Sequence, residues 1–164
     1  MARILIVGGG CRGRRLASTL ADERHAVRIT TRTEAGRAAI EASGAECWIG
    51  TPDRLATLRA ALDGVTILCW LLGSATGPEL QLRALHSSRL EFFATQAIDT
   101  TVRGFIYEAS GSVPAEVLRA GVEIVRSVAQ RNAIPLALLE ADPNDEAAWH
   151  EQAGAAVESL LIGV

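Results

Sequence analysis

Four aliphatic residues, Ile4-Leu5-Ile6-Val7, run without a break into Gly8-Gly9-Gly10-Cys11-Arg12-Gly13 and then into a helical pattern. Few folds accept that order of parts. The apolar run reads as a strand covered on both faces, and the glycines as a tight turn. Leu16, Ala17 and Leu20 form one face of a helix from about Arg12 to Glu23. With a second strand at Ala26 to Thr30, the segment is a βαβ unit and predicts a parallel sheet.

The remainder of the chain repeats the alternation. A short helix over Glu34 to Ser43 ends at Gly44, and a third strand covers Ala45 to Ile49. Thr51-Pro52-Asp53 has the form of a helix start, with Thr51 as cap and Pro52 in the first turn of a helix reaching Asp63-Gly64. Val65 to Leu72 is the longest apolar run and lacks alternation, as a central strand should. A loop from Gly73 to Pro78 leads into a helical stretch to about Asp99, broken near Ser87-Ser88. Gly104 to Ala109 and Ile134 to Leu139 are strands either side of a helix from Ala115 to Arg131. Asp142-Pro143 opens a last helix whose Trp149, Ala153, Ala156 and Leu160 share a face. The expected fold is therefore α/β: one doubly wound domain over residues 1–164. It has six parallel strands, probable order 3-2-1-4-5-6, between two helix layers.

In that fold the turn after strand one has a specific chemistry. Gly8 permits the tight turn, Gly10 lets a phosphate approach the backbone, and Gly13 lets helix and strand pack closely. Amides at the helix start, with Gly9, Cys11 and Arg12, would then face a pyrophosphate. The end of strand two suggests which dinucleotide. From His25 to Thr33 there is no acid, and Arg32 stands where a ribose-binding carboxylate is usual. An arginine there suits a 2′-phosphate, so the expected cofactor is NADP, with NAD the alternative if Glu34 serves the ribose. Thr31 and Thr33 add hydroxyls, and Arg12 is a candidate second cation. Cys11 reads either as a small residue beside the cofactor or as a thiol activated by the helix start.

Composition narrows the rest. A formal net charge of −3 offers nothing to nucleic acid or an anionic membrane, and no run approaches a membrane span. Cys11, Cys47 and Cys69 lack disulfide or zinc spacing, and the chain opens directly into a strand, so the expected location is the cytoplasm. All 16 basic residues apart from histidine are arginine. Without lysine, no Schiff base, P-loop or Tyr-Lys chemistry is available within the chain.

The glycine pattern, Arg32, Leu68 to Gly73 and Arg103-Gly104-Phe105-Ile106-Tyr107-Glu108-Ala109-Ser110-Gly111-Ser112-Val113 together resemble atypical short-chain dehydrogenase/reductase relatives, NAD(P)-binding proteins akin to the extended epimerases and reductases. The resemblance runs to about Asp142 and implies a dinucleotide lying across Gly8 to Gly13, Arg32 and Leu72-Gly73, with Ser110 close by. It also implies what is missing. Active members use a Tyr-x-x-x-Lys pair, and here the one tyrosine, Tyr107, lies inside a strand. The aspartate expected after strand three is replaced around Gly50-Thr51, and the extended members' C-terminal substrate region has no counterpart. Ser110 and Ser112 are then candidates for orienting a small-molecule substrate or for ordinary loop capping, and Glu108 is either buried at the sheet end or in solvent. His86 and His150 are expected on the surface. Two functions follow, a small oxidoreductase or a non-catalytic dinucleotide sensor or subunit, and the Trp149 face of the last helix is expected either to cover the sheet or to form a homodimer.

Overall fold

Ile4 to Val7 are completely buried because they form the centre of a sheet with helices on both sides. The computed structural model describes residues 1–163. Its strands are β1 (Arg3–Gly8), β2 (Ala26–Thr31), β3 (Glu46–Ile49), β4 (Ile67–Leu71), β5 (Gly104–Glu108) and β6 (Leu136–Leu139). They make one parallel sheet in the order β3-β2-β1-β4-β5-β6, as the βαβ pattern predicts. The register sets Gly8 of β1 beside Leu71 of β4. The chain reverses its direction of travel across the sheet between these two strands, the position at which doubly wound sheets form a ligand crevice outside their carboxyl ends.

Side-chain alternation builds one core on each face. Ile4, Ile6, Cys69, Leu71 and Ile106 meet α1 (Gly10–Asp22), α2 (Arg37–Ala42) and α6 (Glu146–Ile162). Leu5, Val7, Leu68, Trp70, Phe105 and Tyr107 meet the other layer, which includes α4 (Ser88–Ile98) and α5 (Ala115–Asn132). Each fully buried large side chain in these layers contributes about 1.5–3 kcal/mol. The short α3 (Glu79–Leu85) is separated from α4 at His86-Ser87, where the sequence places its break.

Three segments depart from expectation. Residues 51–64 form no α-helix but two 3-10 turns, Leu55–Thr57 and Arg59–Leu62. Hydroxyls compete for the backbone there: Thr51 N–H donates to Thr57 Oγ1 at 2.9 Å, and Asp53 N–H donates to Thr51 Oγ1 at 3.2 Å. The last helix starts three residues late. Asp145, not Asp142, is its cap, accepting from Ala148 N–H at 3.1 Å, while Asp142 closes the preceding turn through Asn144 N–H. The helix predicted over 34–43 opens as a 3-10 turn (Glu34–Gly36) before α2, and Gly44 ends it at φ +88°.

The apolar face of α6 is used inside the subunit. Trp149, Ala153, Val157 and Leu160 are buried against the sheet and α1, with Ala156 partly buried beside them. That face is not free for a twofold contact. Among the described residues no helix is long and apolar enough to cross a membrane.

Candidate active site

The glycine turn lies at the switch point. Gly8, Gly9 and Gly10 all have positive φ, +84°, +89° and +53°, which side-chain-bearing residues rarely adopt. A Cβ on Gly8 would stand 2.6 Å from Leu71 O, and one on Gly13 would stand 3.3 Å from Gly8 O, so both are needed for close packing. Gly10 differs: nothing lies within 4 Å of its missing Cβ, and the space above it is open. Gly9 N–H donates to Leu71 O at 2.8 Å, and Gly13 N–H donates to Gly9 O at 2.9 Å. The amides of Gly10, Cys11 and Arg12 precede the first intrahelical donor, Gly13 N–H, and point out of the helix start. Cys11 is exposed there and accepts from Arg14 Nη2 at 3.0 Å.

Toward the β2–β3 side, Arg32 is exposed and pairs with Asp53, Nη2 to Oδ2 at 3.3 Å. Asp53 also receives Arg89 Nη1 from α4 at 2.5 Å. An acid, Asp53, therefore does lie beyond β3, against the expectation that the aspartate there is replaced around Gly50-Thr51; the irregular turn after β3 delivers it. Two guanidinium groups share one carboxylate, leaving an excess positive charge. Thr31 is half-buried and directs Oγ1 to Thr33 O at 3.5 Å, and Thr33 is exposed. Glu34, the alternative ribose ligand, is held by Arg37 through contacts of 2.7 and 3.0 Å, which keep its carboxyl below the usual range.

Toward β5, Leu72 and Gly73 line the crevice floor. Gly73 N–H donates to Glu108 Oε1 at 2.7 Å, and Trp149 Nε1 donates to Glu108 Oε2 at 2.7 Å. Glu108 is thus buried and ties the ends of β4 and β5 to α6. Burial pushes its pKa up, opposed by the bonds from Trp149 and Gly73 and by the charge of Arg12. Ser110 is half-buried, with its carbonyl packed so close to Gly73 that no side chain fits there. Ser112 N–H reaches Ser74 Oγ at 3.4 Å. Arg12 turns toward α6, its guanidinium 5.8 Å from the Trp149 ring, so it does not join Arg32.

His86 is not on the surface but fully buried. Its Nε2 lies 3.0 Å from Leu72 O, a group that can only accept, so Nε2 carries the hydrogen. Nδ1 then accepts from the Tyr107 hydroxyl at 2.6 Å. Burial lowers the pKa of His86; burial, and then the charge of Glu108, raises that of Tyr107. Tyr107 points into the α4–α5 core, not into the crevice. His150 is half-buried rather than on the helix surface, its Nε2 3.1 Å from Thr19 Oγ1. No group of acids, histidines or cysteines able to hold a metal ion occurs among the described residues.

The sheet order and glycine turn define a doubly wound α/β domain of Rossmann type. No protein-family model matches the chain, and no curated protein matches it in sequence. Among solved structures it is similar in fold to triphenylmethane reductase of Citrobacter sp., with a TM-score of 0.63 and 21% identity over 84% of this chain and 48% of that one. Vestitone reductase from alfalfa (Medicago sativa) superposes with a TM-score of 0.63 and 16% identity, covering 84% of this chain and 56% of that one. UDP-glucuronic acid 4-epimerase from Bacillus cereus, solved with NAD, gives 0.64 and 13% over 83% and 55%. The chain spans about half the length of these proteins. The expected likeness to extended epimerases and reductases holds at the level of fold.

Proposed function

We propose that this chain binds NADP(H) as a dinucleotide-binding domain of the reductase type. The observation that carries the reading is the run of three left-handed glycines at the end of β1, opening into free amides at the start of α1 beside Leu72-Gly73. In this reading the pyrophosphate lies over Gly8 to Gly13. The 2′-phosphate meets Arg32, with Arg89 behind Asp53 and Thr31 and Thr33 nearby, and the nicotinamide lies toward Gly73 and Ser110. Support for NADP also comes from a structure of similar fold, the same Citrobacter reductase complexed with NADP(H), at a TM-score of 0.60 and 20% identity. NAD is the alternative.

The bound nicotinamide would supply or accept a hydride. This chain's own residues hold it in place and close one side of it. None is a Tyr-Lys proton relay: lysine is absent from the sequence, and the Tyr107 hydroxyl is committed to His86. That commitment favours a second reading, a dinucleotide sensor or a cofactor-binding subunit whose chemistry is completed by a partner. The test is titration of the chain with NADPH and NADH, followed by NADPH oxidation against a panel of carbonyl compounds. Binding with steady turnover by the chain alone supports the oxidoreductase, binding without turnover supports the sensor, and no binding of either nucleotide refutes both.

A further inference from the structure

Among the described residues, two buried side-chain polar atoms have no hydrogen-bond partner within the protein, Arg12 Nε and His150 Nδ1. Native proteins retain few such atoms, and each calls for a reason. Both belong to residues lining one cleft. It has a volume of about 100 Å³, lies between the start of α1 and the start of α6, and is walled by Cys11, Arg12, Arg15, Glu146, Trp149 and His150. His150 Nε2 lies 3.1 Å from Thr19 Oγ1, and either group can supply the hydrogen between them. Nδ1 is left unpaired and donates whenever it carries the ring hydrogen.

The charges in the cleft are Arg12 and Arg15 from α1 and Glu146 from α6, with His150 adding a positive charge on protonation. Behind the indole, Glu108 is occupied by Trp149 and Gly73. We propose that this cleft binds the anionic group, a carboxylate or a phosphate, of a small molecule. Arg12 Nε and His150 Nδ1–H donate to its oxygens, Arg15 adds charge at the exposed mouth, and the Trp149 ring forms an apolar wall. Because Cys11 and Arg12 belong to the glycine turn, the ligand lies beside the dinucleotide. Its role as a substrate site rests on the NADP(H) reading, whereas the binding itself does not.

The intact chain is titrated with inorganic phosphate and, separately, with malonate, by calorimetry and by NMR of the histidine ring, without NADPH and at saturating NADPH. The expected result is saturable binding of one anion in both conditions, shifting the His150 ring signals. Arg12→Gln and His150→Gln each weaken it about tenfold, the scale of a lost charge-assisted hydrogen bond. Arg15→Gln, at an exposed position that folding tolerates, weakens it about two- to threefold. His150→Gln leaves NADPH affinity unchanged. Tighter binding of one probe supports the site and identifies the oxyanion it prefers. No saturable binding of either probe, or unchanged affinity in all three variants, overturns the proposal. Mutual exclusion of anion and NADPH overturns it too, because the cleft would then belong to the pyrophosphate. Anion binding by a chain that binds no NADPH would refute the cofactor reading alone.

Discussion

Removal of Arg32 separates a 2′-phosphate site from a merely charged surface. In the wild type its guanidinium is 60% exposed in the side chain and already shares Asp53 with Arg89. A hydrogen bond to a charged group contributes about 1.5–3 kcal/mol, and exposure to solvent favours the lower end. Binding a phosphate means giving up the Arg32–Asp53 pair, which at such exposure is worth about 0–1 kcal/mol. The difference leaves about 1–2 kcal/mol, so Arg32→Ala should weaken NADPH about five- to thirtyfold. NADH lacks the phosphate and should change by less than about twofold.

Asp53→Asn tests the same geometry from the other side. It removes the carboxylate that competes for Arg32 and Arg89, and should tighten NADPH by about two- to fivefold. Both effects should shrink as salt is raised, because the pairs are near the surface. Calorimetry with each nucleotide at two ionic strengths is the assay. The reasoning fails if Arg32→Ala weakens NADPH and NADH equally. It fails also if Asp53→Asn weakens both nucleotides, since the carboxylate would then be binding ribose hydroxyls and the site would prefer NAD.

Other consequences concern the scaffold around the site. Gly8→Ala places a Cβ 2.6 Å from Leu71 O at φ +84°, so NADPH titration should show lost binding and thermal melting a loss of at least about 1–3 kcal/mol. Tyr107→Phe leaves His86 Nδ1 buried without a donor and should cost about 1–3 kcal/mol in denaturant unfolding with nucleotide affinity unchanged; intact stability with lost affinity would contradict the placement of Tyr107 in the core. The His86 pKa is lowered from 6.5, so the unfolded chain binds the extra proton. The stability contributed by the neutral ring is therefore complete above about pH 6.5 and declines as the pH falls below it, a dependence that His86→Gln should remove from the unfolding midpoint. Glu108→Gln preserves shape but sets an amide N–H against either Trp149 Nε1–H or Gly73 N–H, and should destabilise by about 1–3 kcal/mol with a change in tryptophan fluorescence.

What could be read from the sequence divides along a physical line. Ile4 to Val7, the Val65 to Leu72 run and the glycines were legible because a backbone requirement leaves a local trace: an apolar run for a covered strand, a missing Cβ for positive φ. The misread Thr51-Pro52-Asp53 shows the limit of that rule. Those three residues fit a helix cap, but the outcome is decided by Thr57, six positions on, whose hydroxyl accepts from Thr51 N–H. Side chains obey a different constraint. Asp53, Arg89 and Glu108 take their roles from partners on other elements, and nothing beside them in the chain announces Arg32, Gly73 or Trp149. Arg12 makes the point within a single motif. Its neighbours Gly10 and Gly13 hold the backbone positions that a phosphate turn requires, yet its own side chain leaves the turn and crosses to Trp149 on α6. A motif specifies the path of its backbone and constrains its side chains only where they are absent. A glycine pattern therefore specifies positive φ at Gly8 and Gly10 and close packing at Gly8 and Gly13, whereas side-chain roles at Cys11 and Arg12 have to be earned from contacts.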